Sequence, residues 1–407
     1  MRVGVVGCIP HPTAGGASTL LENLIQVLET TQSHHVFIPL RETFDEAGSV
    51  SREINAFRHL KHLRMKVRAT QFGDMVARAV RLVQPPSDPR IHWSTQMESL
   101  IRKQQIDVVW FVGQGGATAS VPYISTVWDL AHRSRPYFPE VSSTGWDWKG
   151  REQTFRSALP RASFILTGTN AGKSDIVHYY RVNPENVIVV PFPAPAFAGE
   201  DHRHGILDIR EKYGIRGDFL IYPAQFWPHK NHVNILIALA LLKRNRGIVI
   251  EMVFTGSDKG NAGHVFGKIN ELGLYDQVHM LGFVPREDLR ALYSKALALT
   301  FASFFGPDNI PPLEAFALGC PVIASRVSGA EEQLGDAALL FDPAEPEDLV
   351  SAILTISQDQ QLRARMVQKG AEIAKTRTPQ AYVEQVCKIL DKFAPIRRCW
   401  GHEYKQT

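Results

Sequence analysis

The chain has few cysteines and no long apolar run. Its four cysteines are far apart and form no Cys-x-x-Cys pair, which argues against a zinc site or a disulfide framework. The longest helical apolar stretch, near residues 235–242, falls well short of the roughly 18 residues that cross a bilayer. Residues 1–7 lack the charged and apolar regions of a signal peptide. We therefore expect a cytoplasmic protein with reduced thiols, whose membrane contact, if any, is peripheral.

Strong net charge is also lacking. The formal charge of the 407-residue chain is +4, too mild to indicate nucleic-acid binding, so we expect no nucleic-acid partner. No Asp-x-Asp sequence occurs, so a metal clamp for phosphates has no obvious ligands. We expect no metal and no bound cofactor.

Short Val/Ile-rich runs alternate with amphipathic helix-length segments along the whole chain. This pattern is typical of parallel sheets covered by helices on both faces, and it predicts the α/β class. The predicted strands of the first half are 2–7, 36–40, 107–112, 123–128, 163–167 and 187–190. Those of the second half are 219–223, 249–255, 278–281, 297–301, 321–324 and 338–341.

A proline-rich run at 191–195, followed by the polar stretch 199–205, separates the two sets of strands. Such punctuation is typical of a domain linker. We predict a first domain over 1–195, a second over 206–377, and a C-terminal helix and tail over 378–407. That last segment follows the second sheet, so it is able to return to brace the first domain.

Adjacent glycines open the helix that follows the first strand. At Gly15 and Gly16 a phosphate or substrate can approach bare backbone N–H groups, and the helix dipole favours negative charge there. A simple tight turn explains a Gly-Gly pair about as well.

Polar side chains follow the strand predicted at 123–128. Asp129, His132 and Arg133 would lie at the carboxyl end of a parallel strand, where open α/β sheets bind ligands. A solvated loop is the alternative, which the density of polar and aromatic groups disfavours.

The second domain offers a cation and a carboxylate in separate loops. Lys230 follows the strand at 219–223 and could neutralise a diphosphate, with Gln225 adding a neutral hydrogen bond. The turn 305–312 opens a helix, and its backbone N–H groups, around Asp308, Asn309 and Ile310, can hold phosphate or sugar hydroxyls. Glu314 can accept paired hydrogen bonds from a ribose diol, or simply complement the helix dipole.

These motifs together resemble family 4 of the retaining glycosyltransferases, which share the two-domain GT-B fold. The resemblance rests on the Gly-Gly loop, on Lys230 and on Pro-Pro-Leu-Glu-Ala-x-Ala-x-Gly-x-Pro-Val at 311–322. It covers nearly the whole chain and is weakest over about 41–107. It implies two Rossmann-like domains whose parallel sheets face a central cleft, the first binding the acceptor and the second the nucleotide sugar.

The resemblance also implies residue roles. Gly15 and Gly16 match the phosphate loop, Lys230 the diphosphate-binding lysine, and Glu314 the second glutamate of the family's Glu, seven residues, Glu motif. The first glutamate falls at Gly306, the usual arginine at Gln225 and a frequent histidine at Trp128. Asp308 and His132 are possible substitutes for the missing carboxylate and histidine.

By resemblance we expect a retaining transferase that moves mannose, rhamnose or a similar hexose from a nucleotide diphosphate to a saccharide or lipid-linked saccharide. The catalytic set would be Asp129, His132 and Lys230, with Arg133 on the acceptor side. Surface polysaccharide biosynthesis is the implied setting. A nucleotide-sugar epimerase or phosphorylase, and a catalytically idle sugar-nucleotide binding protein, are the alternatives.

The segment 52–81 is strongly basic, with eight Lys and Arg residues against Glu53 and Asp74. Apolar residues recur there at helical spacing, at Phe57, Leu60, Leu63 and Val67, so one helix could present an apolar stripe flanked by cations. We expect peripheral contact with an anionic membrane, such as the inner face of the cell membrane. A solvated helix whose stripe packs on the core is an equally good interpretation.

Overall fold

The structure, a computed structural model, describes residues 1–7, 16–31, 33–40, 43–44, 50–51, 95–118, 120–144, 148–195 and 209–402. Its strands are β1 Arg2–Val6, β2 Val36–Leu40, β3 Thr43–Phe44, β4 Val50–Ser51, β5 Val108–Gln114, β6 Tyr123–Thr126, β7 Phe164–Thr167, β8 Val187–Val189, β9 Phe219–Pro223, β10 Glu251–Thr255, β11 Val278–Gly282, β12 Ala298–Phe301, β13 Val322–Ser325 and β14 Ala338–Phe341.

Helices connect most of these strands. They are Gly16–Thr30, Thr95–Lys103, Ala131–Ser134, Trp148–Ala158, Asn170–Tyr180, Ile209–Tyr213, His232–Arg246, Ala262–Glu271, Arg286–Lys295, Ile310–Ala317, Ala330–Leu334, Pro346–Gln358, Gln360–Thr376 and Pro379–Arg397. None of the helices within the described ranges is both long and apolar enough to cross a membrane.

Two six-stranded sheets organise the molecule, in the orders β2-β1-β5-β6-β7-β8 and β11-β10-β9-β12-β13-β14. Every pairing within them is parallel. Their strands are nearly all buried, as expected when helices cover both faces. The predicted α/β class, with two parallel sheets and Rossmann-like connectivity, is confirmed.

Each sheet has a point where the strand order reverses, and open α/β sheets bind ligands outside the carboxyl ends of the strands at that point. In the second sheet it lies between the neighbouring strands β9 and β12. The loop after β9 carries Lys230, and the turn after β12 leads to Glu314. Topology therefore brings these two sequence-predicted residues to one edge of one sheet.

The last helix packs on the first domain. Thr378 caps its N-terminus by accepting from Ala381 N at 3.1 Å, and a proline occupies the first turn. Tyr382, Val386 and Leu390 are buried in the same cluster as strands β1 and β5. The chain thus crosses between the domains twice, and the crossings are joined where Ala194 N donates to Arg377 O at 2.8 Å.

Candidate active site

Loops at the carboxyl ends of the two sheets contact each other. Phe138, from the loop after β6, lies with its ring 5.7 Å from that of Phe304 and 5.9 Å from that of Phe305, in the loop after β12. Glu140, two residues further on, contacts His229 in the loop after β9. One loop of the first domain therefore contacts both the loop after β9 and the loop after β12 of the second domain.

Lys230 ends a single 3-10 turn, Pro228–Lys230, that follows β9. Its carbonyl accepts from Tyr222 Oη at 2.9 Å, and its Nζ lies 5.3 Å from the centre of the Phe301 ring. Burial lowers the pKa of Lys230 to about 8, while the carboxylates of Asp129 and Glu140 act in the opposite direction. No side chain in the described ranges accepts a hydrogen bond from Nζ, so the ammonium is available to a phosphate.

Glu314 lies in the second turn of the helix Ile310–Ala317 and is 7% exposed. Tyr293 Oη donates to its Oε2 at 2.9 Å. Burial raises the pKa of Glu314 to about 7, although the Tyr293 hydroxyl favours the charged form. Its other oxygen has no donor among the described residues, so a ligand hydroxyl could donate to it.

Asp308 is turned toward the first domain. Its Oδ2 accepts from Phe192 N at 3.0 Å, and its Oδ1 accepts from Gln333 Nε2 at 2.5 Å. A Cβ added to Gly168 would lie 2.7 Å from Asp308 Cγ, so the carboxylate fits only because that position is glycine. Burial raises the pKa of Asp308 to about 7, against the influence of Arg377. Asp308 thus joins the domains, and its predicted role as a donor-sugar contact stays a prediction.

Asn309 and Ile310 complete the same turn. Asn309 N donates to Gln333 Oε1 at 3.0 Å, and Asn309 Nδ2 donates to Gly306 O at 2.6 Å. The Ile310 side chain packs against the core cluster of the first domain. Gln333 thus holds the backbone N–H of Asn309 and, by donating at 2.7 Å, its carbonyl as well, while the Ile310 side chain helps to hold the domains together. The predicted donor contacts of Asn309 and Ile310 stay predictions.

Local contacts explain why Gly306 and Gln225 stand where the family motif has glutamate and arginine. Gly306 has φ +130°, and a Cβ there would lie 2.8 Å from Asn309 Cγ, so a larger residue does not fit this turn. The Gln225 side chain accepts from Trp227 Nε1 at 3.0 Å and donates to Ser257 Oγ at 3.2 Å. Its amide therefore braces the loop after β9, and its predicted donor contact stays a prediction.

Asp129 follows β6 on the first-domain side of the cleft. Its Oδ1 accepts from Arg151 Nη2 and from Ala131 N, both at 2.9 Å. Burial alone would raise the pKa of Asp129, but Arg151 and the Ala131 N–H hold it below its ordinary value. The carboxylate is therefore anionic and fixed in direction, close enough to Lys230 to influence it.

His132 and Arg133 lie behind Asp129 in a buried polar cluster. His132 is fully buried, and its Nε2 lies 3.3 Å from Glu152 Oε2 and 3.1 Å from Tyr180 Oη. Arg133 donates to both oxygens of Glu152. Burial lowers the pKa of His132 to about 4, so the ring is neutral near pH 7. A substrate does not reach His132 in this arrangement, and its catalytic role and the acceptor-side role of Arg133 stay predictions.

The glycine pair lies at the boundary of a described range. Gly15 lies outside the described residues, and Gly16 is the first residue of the helix Gly16–Thr30. The basic segment 52–81 also lies outside them.

Sequence reasoning did not assign the residues that join the domains. Glu140 accepts hydrogen bonds from His229, and Glu332 accepts at 2.8 and 2.9 Å from the backbone N–H of Asn170. Each carboxylate belongs to one domain and its partner to the other. No local pattern marks such residues, because their partners are 89 and 162 positions away along the chain.

Comparison with known proteins finds a family match that lies within the second domain. Residues 206–373 match the family described as glycosyl transferases group 1. O-antigen chain mannosyltransferase B of Escherichia coli is 26% identical over 226 residues, which are 55% of this chain and 59% of that protein. The MMP alpha-(1->4)-mannosyltransferase of Mycolicibacterium hassiacum is 27% identical over 247 residues, 58% of this chain and 57% of that protein. The matched region thus spans somewhat over half the length of these relatives.

Solved structures show the same fold over nearly the whole chain. Sucrose-phosphate synthase from Thermosynechococcus elongatus has a TM-score of 0.72 at 15% identity, covering 97% of this chain and 99% of that one. WaaG, a glycosyltransferase involved in lipopolysaccharide biosynthesis, has a TM-score of 0.64 at 16% identity, covering 95% and 99%. With the two parallel sheets described above, these matches show a GT-B fold, in which residues 206–373 are similar to the glycosyl transferases group 1.

Proposed function

We propose that this protein transfers a hexose from a nucleoside diphosphate sugar to a saccharide or lipid-linked saccharide acceptor. The observation that carries the proposal is the placement of Lys230 and Glu314 at the carboxyl edge of the second sheet, where its strand order reverses. A cation that has no hydrogen-bond acceptor among the described residues suits a diphosphate, and a carboxylate suits a ribose diol. Mannose is the favoured sugar, because two matched relatives are named as mannosyltransferases.

In the proposed reaction the bond from the sugar anomeric carbon to the diphosphate oxygen breaks, and a bond to the acceptor oxygen forms on the same face. The acceptor proton passes to the leaving diphosphate. Lys230 and backbone N–H groups stabilise the charge on that leaving group, which is the role a metal plays in other transferases. Asp129 would position the acceptor side from across the cleft. We propose that the reaction needs no metal.

A setting in surface polysaccharide assembly is part of the proposal. Support comes from the O-antigen mannosyltransferase and from WaaG, whose names assign those proteins to polysaccharide and lipopolysaccharide synthesis.

Donor binding tests the site directly. Calorimetric titration with GDP, UDP, ADP and dTDP should find one that binds the unmodified protein. Glu314→Ala should weaken that binding by about 1.5–3 kcal/mol, since a hydrogen bond to a charged group is lost. Glu347→Ala, at an exposed glutamate of the same domain, is the matched control and should bind as the unmodified protein does. Equal affinity for Glu314→Ala would refute the assignment.

A further inference from the structure

Glu140 of the first domain is buried where the two domains meet, and only one of its two carboxylate oxygens accepts hydrogen bonds from the described residues. It is 1% exposed, and its Oε1 accepts from His229 N at 2.9 Å and from His229 Nδ1. Its Oε2 is buried and has no hydrogen-bond partner among the described residues. A buried charge with an unsatisfied oxygen costs free energy, so its retention at this position calls for a function.

His229 connects the two donor-side loops. Its carbonyl accepts from Phe304 N at 2.9 Å, and its ring stacks on Phe305 with centroids 4.1 Å apart. Phe138, two residues before Glu140, packs edge-on against the same ring at 6.2 Å. Glu140 therefore binds His229, the residue through which the loop after β9 contacts both the loop after β12 and the first domain.

We propose that Glu140 is a positioning residue for the donor diphosphate: by holding both the backbone and the ring of His229 from across the cleft, it fixes the turn that presents Lys230. This inference rests on the proposed function, and it adds that full donor affinity needs a residue of the first domain. Donor binding and closure of the cleft are then coupled, because the contact exists only while the two domains are together.

The pKa of Lys230 provides a second test of the role of Glu140. Glu140 ionises readily: burial would raise its pKa, but the two hydrogen bonds from His229 hold the pKa below its ordinary value. Charged groups that influence Lys230 are Asp129 and Glu140, both of which raise its pKa. His229 and His232, which also lie near Lys230, have pKa values of about 4 and about 3 and are neutral above these values. Removing the Glu140 charge should therefore lower the pKa of Lys230 further.

The test is the affinity of the nucleoside diphosphate that binds the unmodified protein, among GDP, UDP, ADP and dTDP. Glu140→Gln keeps the size and one accepting oxygen but removes the charge. It should weaken binding roughly tenfold, the lower end of the loss expected for a charge-assisted contact. As the pH is raised, the affinity of Glu140→Gln should also begin to fall at a lower pH than the affinity of the unmodified protein does. In a Lys230→Met background, Glu140→Gln should change affinity by less than about twofold, because it acts through Lys230.

A matched control separates positioning from simple closure. Glu332→Gln removes another carboxylate that crosses between the domains, at Asn170, away from the Lys230 turn. It should leave the alkaline limb of the pH profile unchanged. If it weakens binding and shifts that limb as much as Glu140→Gln does, closure alone explains the effect and the inference is wrong.

Substitutions at His229 keep the test decisive even if Glu140→Gln folds poorly. His229→Asn retains a side-chain N–H that can replace Nδ1 and should keep more affinity than His229→Leu. The inference is overturned if Glu140→Gln binds like the unmodified protein, if it weakens binding equally without Lys230, or if the two His229 variants behave alike. Failure of the unmodified protein to bind any of the four nucleotides would instead refute the proposed function.

Discussion

Asp129 keeps its charge because Arg151 and the Ala131 N–H bind one of its oxygens in a partly buried position. Such an anion, fixed near Lys230 but belonging to the proposed acceptor-binding domain, should act on the reacting groups more than on the nucleotide. Asp129→Asn should lower turnover at saturating donor by about 10²-fold, the scale of a lost catalytic carboxylate, with a much smaller loss of donor affinity.

Steady-state kinetics and calorimetry of the same preparation separate the two effects at Asp129. Asp288→Asn, at a buried carboxylate bound by Lys212 and Tyr213 in the second domain, is the control and should keep normal turnover. Equal losses of turnover and donor affinity in Asp129→Asn would assign Asp129 a structural role.

The backbone conformation at Gly306 excludes the glutamate that the family motif has at this position. At φ +130° only glycine adopts the backbone conformation without strain, and an added Cβ would collide with the Asn309 amide. Gly306→Ala should therefore lower stability by about 1–3 kcal/mol. Gly260→Ala is the matched control, because Gly260 also has positive φ, at +93°, but open space around it. Calorimetric melting should show the larger loss for Gly306→Ala; equal losses would mean that the Asn309 contact carries no cost.

At the scale of elements, the turn after β12 both positions Glu314 and contacts the first domain. It leads into the helix that holds Glu314, and its Asp308 binds Phe192 N at the crossing between the domains. Asp308→Asn loses one acceptor, since both its partners are N–H donors, and should destabilise the protein by about 1–3 kcal/mol. Asp336→Asn, at an exposed ion pair with Lys369, should change stability by no more than about 0.5 kcal/mol.

The Asp308 effect has a defined pH dependence. Burial raises the pKa of Asp308 from 3.8 to about 7, so the stability it contributes is fully present below about pH 4 and is lost as pH rises through about 7. The difference in melting temperature between the unmodified protein and Asp308→Asn should shrink from about pH 6 to pH 8. A difference that stays constant from pH 6 to pH 8 would show that Asp308 is ionised throughout this range.

Much of the fold could be predicted from the sequence because Val/Ile runs determine the sheets. The predicted strands 36–40, 219–223 and 338–341 coincide residue for residue with β2, β9 and β14, and the other predicted strands begin and end within two residues of the observed ones. The two-residue strands β3 and β4 were not predicted. The positions of Lys230 and Glu314 at the carboxyl edge of the second sheet could be predicted because each lies in the connection that follows a strand of that sheet. The buried state of His132 and the cross-domain contacts of Glu140 and Asp308 could not, because they depend on which loops face each other after folding.

At the scale of the whole molecule, the first domain is also the proposed acceptor side. Its basic segment 52–81 lies outside the described residues, and a lipid-linked acceptor would bring it to an anionic membrane. Full-length protein should float with anionic vesicles at low salt and be released at high salt. Glutamate substitutions at Lys61, Arg64 and Arg68 should abolish flotation, whereas flotation unchanged by them would refute the membrane interaction.

Glycosyl transfer itself is the most direct measurement. The unmodified protein, with a chelator present, would be incubated with GDP-, UDP- and dTDP-hexoses and a panel of saccharide and lipid-linked saccharide acceptors. We expect free nucleoside diphosphate to appear only when an acceptor is present, and the product to keep the anomeric configuration of the donor sugar. Binding without turnover on every acceptor, an epimerised donor, an inverted product, or activity that returns only with magnesium or manganese would contradict the proposed metal-free retaining transfer.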